Sequence, residues 1–129
     1  MKKNDKEHLR KVSTWVEYAD EGLRIAEIAL TISSNVPYRI ISFHSQQSAE
    51  KYIKAFLVFH SIDFPYTHNI STLTELAEPI IDLKKRLKIA KKLSKYAVAV
   101  RYPNEYLKIK KNEAIKTIKT AIMVKKVIR

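Results

Sequence analysis

One row of polar side chains carries much of the chemistry that this chain can offer. The row is His44, Gln47, Lys51 and Lys54, and it lies within residues 38–60, a run without Gly or Pro that predicts a helix. Because the residues are three and four apart, an imidazole, an amide and two ammonium groups project from one side of that helix. Such a row can bind a nucleotide, and it can equally be a solvated face with a hydrogen-bonded histidine.

The opposite side of the same helix is predicted to pack against another helix. Its residues also recur at intervals of three and four, with small side chains in the middle and aromatic ones towards the end. Small side chains permit the close approach of a second helix. The face consists of Ile41, Ser45, Ser48, Tyr52, Ala55 and Phe59.

Three further residues lie outside this helix and can contribute to the same kind of site. His68 follows in the next loop, and Arg101 and Tyr102 precede Pro103. A guanidinium presents a rigid fork of donors to a phosphate, and a tyrosine beside a cation can stack on a base. A tyrosine at a helix end is also commonly an amphipathic edge residue. We therefore predict a nucleotide site from His44, Gln47, Lys51, Lys54, His68, Arg101 and Tyr102, whose convergence in space the sequence alone does not establish.

The positive charge of the chain is concentrated in its second half. The formal net charge is +12, but residues 1–79 carry 9 Lys/Arg against 10 Asp/Glu, whereas residues 80–129 carry 16 against 3. This asymmetry indicates an acidic partner for the second half, either nucleic acid, a nucleotide or an acidic protein. A lysine-rich surface in a biased proteome is the alternative explanation.

Composition excludes several functional classes. One Gly in 129 residues leaves no glycine-rich phosphate loop, and no histidine pair has the HExxH spacing of a zinc helix. The absence of Cys excludes disulfides and thiolate metal sites. We expect no cofactor and no metal. No apolar signal core and no long apolar run are present, which predicts a soluble, cytoplasmic protein.

The elements that must position these residues are predicted to be helices. A seam from Leu9 to Leu30 predicts a first helix over residues 5–34, with Trp15 at its edge. Pro37 is well placed as the first residue of the second helix. After it, residues 61–69 form a loop with apolar anchors at Ile62 and Phe64. Ser71 or Thr72 then caps a short third helix that reaches Glu78.

The sequence of residues 80–129 predicts two more helices. A basic helix follows Pro79 and ends before Pro103. Asn112 caps the last helix, whose core face is Ile115, Ile118, Ile122 and the aliphatic stem of Lys125. At this length we expect a single domain spanning residues 1–129. The predicted fold is all-α, an up-and-down bundle of four main helices plus a short extra helix.

Four blocks of the sequence, in order, resemble a known family. They are Trp15, then the run His44-Ser45-Gln46-Gln47-Ser48-Ala49-Glu50-Lys51-Tyr52-Ile53-Lys54-Ala55, then Thr67-His68-Asn69-Ile70, then Arg101-Tyr102-Pro103. This pattern resembles the HEPN family, the higher eukaryote and prokaryote nucleotide-binding domains, over essentially the whole chain. The resemblance implies a helical bundle, usually a homodimer. It also implies a separately encoded minimal nucleotidyltransferase as partner in a toxin–antitoxin pair.

The resemblance also implies a possible ribonuclease motif, from which this chain departs. Many family members cleave RNA without metal, using an Arg followed after four to six residues by a His. Arg101 matches the arginine, but Tyr106, Leu107 and Lys108 occupy the histidine positions. A phenol moves protons poorly near neutral pH, so binding survives this substitution more easily than catalysis.

Three functions therefore stay open at the level of sequence. The leading one is a non-catalytic or weakly active HEPN protein that binds nucleotide or RNA beside a nucleotidyltransferase. The second is an RNA-cleaving toxin whose catalytic residues are Arg101 with His68 or His44. The third is an interaction module whose basic face docks an acidic protein. A homodimer is predicted because Tyr52, Phe56 and Phe59 beside Ile53 and Leu57 make the second helix apolar over more than one stripe.

Overall fold

The computed structural model describes residues 5–80 and 108–128, and in that part of the chain the fold is all-α without strands. Arg101, Tyr102 and nearly all of the helix predicted after Pro79 lie outside the described residues. The up-and-down order of the whole bundle and its extra helix therefore remain predictions. The described helices are α1 (Asp5–Ala29), α2 (Tyr38–Phe59), α3 (Ile70–Ala77) and α4 (Lys111–Ile128).

The helix α2 lies at the centre and packs against α1, α3 and α4. Five of the six residues of its predicted packing face are buried, all except Phe59, and the Ser48 hydroxyl donates to the carbonyl of Ala19 in α1 at 2.8 Å. Gly22 of α1 lies beside the same stretch, next to the carbonyl of His44. Small residues on both helices thus let α1 and α2 approach closely.

The apolar end of α2 is mostly inside the core and does not form a broad exposed stripe. Tyr52, Ile53, Phe56 and Leu57 are buried, and Phe59 alone of the five predicted residues is exposed, at 53%. The prediction that these residues leave an unpartnered apolar surface was therefore wrong. The reason is that α2 has neighbours on several sides, so more than one of its stripes is needed for the core.

The helix α1 ends earlier than predicted. Ala19, Leu23 and Ala26 of its seam are buried, whereas Leu9 is half exposed. The helix ends at Ala29 instead of continuing to residue 34, because the amide of Thr31 bonds the carbonyl of Ile28 in a tighter turn.

The predicted starts of the second, third and last helices are each displaced slightly, whereas the first helix starts at Asp5 as predicted. Pro37 is the N-cap of α2, and the Ile41 amide donates the first helical hydrogen bond to the Pro37 carbonyl. Asn69, instead of Ser71 or Thr72, caps α3, and its side chain accepts from the Thr72 amide at 3.3 Å. Asn112 lies inside α4, which begins at Lys111.

The buried face of α4 is rotated relative to its prediction. Ile118 is buried as expected, but Ile115 and Ile122 are only half buried. Smaller residues bring α4 close to α2, where the Thr117 hydroxyl lies 3.4 Å from that of Ser42. Lys125 pairs with Asp20 of α1 at 3.1 Å instead of contributing only its stem. The buried residues of α4 are Ala114, Thr117, Ile118, Ala121 and Val124.

The loop over residues 61–69 is anchored as predicted. Ile62 and Phe64 pack against the core, and the Ile62 amide closes the end of α2 by bonding the carbonyl of Leu57 at 2.8 Å. The Phe64 ring meets the edge of Trp15, with centroids 6.2 Å apart. The loop therefore holds its following residues, including His68, against one side of α2.

None of the helices in the described part of the chain combines the length and apolar character needed to cross a bilayer.

Candidate functional site

A buried carboxylate is the centre of the polar site. The side chain of Glu50 in α2 is 2% exposed and accepts from Lys54 Nζ at 2.8 Å. It also contacts His68 Nδ1 at 2.8 Å and accepts from Gln46 Nε2 at 3.3 Å. Because a buried carboxylate is costly unless it is paired and hydrogen-bonded, these three partners explain how Glu50 can be accommodated here.

Two amides extend this network along α2. Gln46 Nε2 also donates to the backbone carbonyl of His68 at 3.2 Å, which fixes the loop to the helix. Gln47 Nε2 donates to Gln46 Oε1 at 2.8 Å, and Gln47 Oε1 accepts from Lys51 Nζ at 3.4 Å. The buried carboxylate is thus connected through two glutamines to a partly exposed lysine.

The imidazole of His68 is oriented by Glu50. Since the carboxylate can only accept, the 2.8 Å contact assigns the hydrogen to Nδ1 of His68. Gln47 Nε2, 3.5 Å from the same nitrogen, is then a neighbour and not a second donor to it. A histidine held by a carboxylate is an arrangement that can move protons or bind an anion.

Lys51 and His44 of the predicted row lie in an electrostatic environment that favours an incoming anion. Burial lowers the pKa of Lys51, and the nearby Lys54 lowers it further, although Glu50 acts in the opposite direction. Burial and the charge of Lys51 also lower the pKa of His44. Lys51 makes no ion pair among the described residues. An anion bound beside Lys51 would reduce the free-energy cost of keeping the Lys51 ammonium charged in this half-buried position.

Lys54 departs from the predicted row. Its side chain is only 7% exposed, and its ammonium is paired with Glu50. The same ammonium lies 5.5 Å from the Trp15 ring centroid and 5.7 Å from that of Phe64. Lys54 is therefore drawn towards the interior by a carboxylate and two aromatic rings, whereas the other three residues of the row are half buried.

The structure brings together some of the predicted site residues and adds others. His68 meets Gln47 beside α2, and Lys51 and His44 continue the row along that helix. Glu50 and Gln46 were missed as site residues. Their signal was available, because Gln46, Glu50 and Lys54 are spaced by four, the spacing at which helical side chains pair. That spacing does not show that the pairing is buried.

Comparison with known proteins identifies one family. A sequence model of the HEPN domain matches residues 12–129. The crystal structure of an archaeal HEPN homologue matches the fold with a TM-score of 0.71 and 27% sequence identity, covering 91% of this chain and 93% of that one. Comparison with curated proteins finds no significant match.

Proposed function

Because the chain belongs to the HEPN domain family, we propose that it binds a nucleotide or nucleic acid through one side of α2. The contacts come from His44, Gln47 and Lys51, with His68 from the loop, and Arg101 with Tyr102 complete the set of binding residues. Lys54 contributes indirectly, by pairing with the carboxylate that orients His68.

The observation that carries this proposal is the state of Lys51. It is a half-buried cation whose pKa is lowered mainly by burial, and it has no ion pair in the described part of the chain. The buried Lys54 is paired with the Glu50 carboxylate, whereas Lys51 donates to the neutral amide oxygen of Gln47. A phosphate oxygen would supply the missing counter-charge, while the neighbouring amide and imidazole groups supply hydrogen bonds.

Calorimetric titration with ATP, GTP and single mononucleotides tests the proposal. We expect saturable heat, and we expect Lys51→Gln to weaken binding by about 10-fold or more, since it removes a charge-assisted bond worth more than about 1.4 kcal/mol. Lys116→Gln is the matched control, because it makes the same change at an exposed lysine of α4. No heat from any mononucleotide at millimolar concentration would reject the nucleotide site.

The family supports a proposal about partners. We propose that the protein works with a minimal nucleotidyltransferase in a toxin–antitoxin pair, as the resemblance of its sequence blocks to that family implies. Co-expression with a minimal nucleotidyltransferase should yield a stable complex in gel filtration. Separate elution of the two proteins at micromolar concentration, with and without nucleotide, would contradict the pairing.

A second function is favoured by the contact of His68 with Glu50. A histidine oriented by a buried carboxylate can replace the histidine that the family motif lacks after Arg101, which makes metal-independent RNA cleavage the alternative. In that case, purified protein cleaves single-stranded RNA in EDTA, and both Arg101→Ala and His68→Asn abolish cleavage. His60→Asn, outside the network, should keep activity. Intact RNA after prolonged incubation would remove this alternative.

We also propose that the protein is a homodimer. The exposed apolar residues that support this lie at the end of α1 and just after it, where Ile25, Ile28 and Ile32 are each about half exposed. Light scattering at micromolar concentration in modest salt should give twice the mass of one chain. A mass near 15.0 kDa would reject the dimer.

A further inference from the structure

The outer surface of α1 carries a depression that the proposed site does not use. Its volume is about 400 Å³, and it is open to solvent. Its chemistry is mixed, with two cations, two aromatic rings and the hydroxyls of a threonine and a tyrosine, all presented by one helix. The lining residues are Arg10, Lys11, Thr14, Trp15 and Tyr18.

Trp15 connects this depression to the polar site on α2. Its ring lies 5.5 Å from Lys54 Nζ and meets Phe64 edge to face, so the α2 site and its loop hold it in place. The same residue lines the depression. Because Lys54 and His68 both contact Glu50, Trp15 is linked to His68 through Lys54 and Glu50, and the depression lies next to the α2 site.

The groups in the depression are available to a ligand. Tyr18 is 54% exposed, and Lys11 makes no ion pair among the described residues. Arg10 Nη2 lies 3.8 Å from Glu7 Oε1, but both side chains are more than half exposed. Such an exposed ion pair is weak, so Glu7 competes little with a phosphate for Arg10. The Thr14 hydroxyl donates to the carbonyl of Arg10 and is already occupied.

We propose that this depression binds a second nucleotide of a single-stranded nucleic acid whose neighbouring nucleotide occupies the α2 site. Tyr18 and Trp15 stack on a base, a contact that tolerates any sequence, and Lys11 with Arg10 neutralises the adjacent phosphate. This inference rests on the proposed function and narrows it. The ligand becomes a single strand that contacts both sites, whereas a free mononucleotide binds only at the α2 site.

The fluorescence of Trp15 provides a direct test, since it is the single tryptophan of the chain. Titration with an eight-nucleotide oligouridylate should quench this fluorescence by stacking, whereas uridine monophosphate should bind without comparable quenching. Tyr18→Ala and Lys11→Gln should each weaken oligonucleotide binding by about tenfold and leave the mononucleotide affinity unchanged. Tyr18→Phe keeps the ring and should bind normally, as should the charge-matched control Lys116→Gln.

The outcomes separate this inference from the function on which it rests. Suppose that the oligonucleotide binds, that Lys51→Gln weakens this binding, and that Tyr18→Ala and Lys11→Gln do not. The depression is then not a contact, and the proposed function stands. If neither the oligonucleotide nor the mononucleotide binds, the proposed function itself fails. Circular dichroism should show unchanged helix content in the variants, because Tyr18 and Lys11 are exposed.

Discussion

At the scale of single residues, Glu50 decides whether Lys54 can be buried. The substitution Glu50→Gln keeps the shape but leaves an ammonium, 7% exposed, between two aromatic rings without a carboxylate. Breaking one side of a buried ion pair costs about 3–5 kcal/mol, so we expect the free energy of unfolding in urea to fall by about 3 kcal/mol.

The double variant Glu50→Gln with Lys54→Met is the control for this loss. Methionine removes the stranded charge and fills similar space, so most of the lost stability should return. If Glu50→Gln alone changes stability by less than about 0.5 kcal/mol, the pair is not buried in solution as it is in the structure.

His44 gives the fold a predictable dependence on pH. Its pKa in the folded protein is lowered from the ordinary value of 6.5, first by burial and then by Lys51. The unfolded chain therefore takes up this proton more readily. The contribution of His44 to stability is fully present above about pH 6.5 and is lost as the pH falls through the folded-state pKa. Unfolding midpoints measured from pH 8 to pH 5 should decrease accordingly.

Two variants isolate this effect. His44→Gln cannot titrate, so its unfolding midpoint should decrease less over the same pH range. Lys51→Gln should raise the pKa of His44, measured by NMR, because it removes the repelling charge. An unchanged or lower pKa in Lys51→Gln would show that Lys51 does not act on His44.

At the scale of elements, Gly22 gives α1 more space against α2 than the packing needs. A methyl group there would lie 3.6 Å from the His44 carbonyl and 3.8 Å from Ser48 Cβ, which are ordinary contacts. Because Gly in a helix interior is unfavourable relative to Ala, Gly22→Ala should raise the free energy of unfolding by about 0.5–1 kcal/mol. Gly22→Leu should instead destabilise the protein; equal stability of the two variants would mean that the helices are not in close contact.

The start of α3 is coupled to the site through the cap next to His68. Asn69→Ala removes the bond to the Thr72 amide and should cost about 1 kcal/mol, whereas Asn69→Asp should retain most of it. Hydrogen exchange of the first α3 amides is the measurement, with faster exchange expected in the alanine variant. Equal protection in both variants would rule out a significant role for this cap.

At the scale of the whole molecule, charge controls how a strand binds. The binding residues proposed above include four cations, Arg10, Lys11, Lys51 and Arg101, so a bound single strand should have several of its phosphates neutralised. Neutralising about four would reduce affinity roughly 50-fold between 50 and 200 mM salt. Fluorescence titration across that range measures the slope, with Lys116→Gln as a control of similar slope. Affinity independent of salt would exclude phosphate contacts as the main source of binding.

The sequence by itself determined the helical class, the family and most of the elements that the structure describes. Helical periodicity and a chain with a single glycine disfavour strand-rich folds, so the helices must bury their apolar faces against one another. The ends were less predictable. Helix ends depend on caps and turns such as Asn69 and the bond from Thr31 to Ile28, for which several neighbouring residues compete.

The tertiary structure decided which polar residues of α2 face the interior. Periodicity placed Lys54 in the same row as His44, Gln47 and Lys51, and it gave Glu50 no role. The fold separates them, because the loop carrying Phe64 and His68 covers one side of α2 and makes Glu50 and Lys54 a buried pair. Burial depends on what other segments bring to a helix face, and that is a property of the packed chain and not of the spacing within one helix.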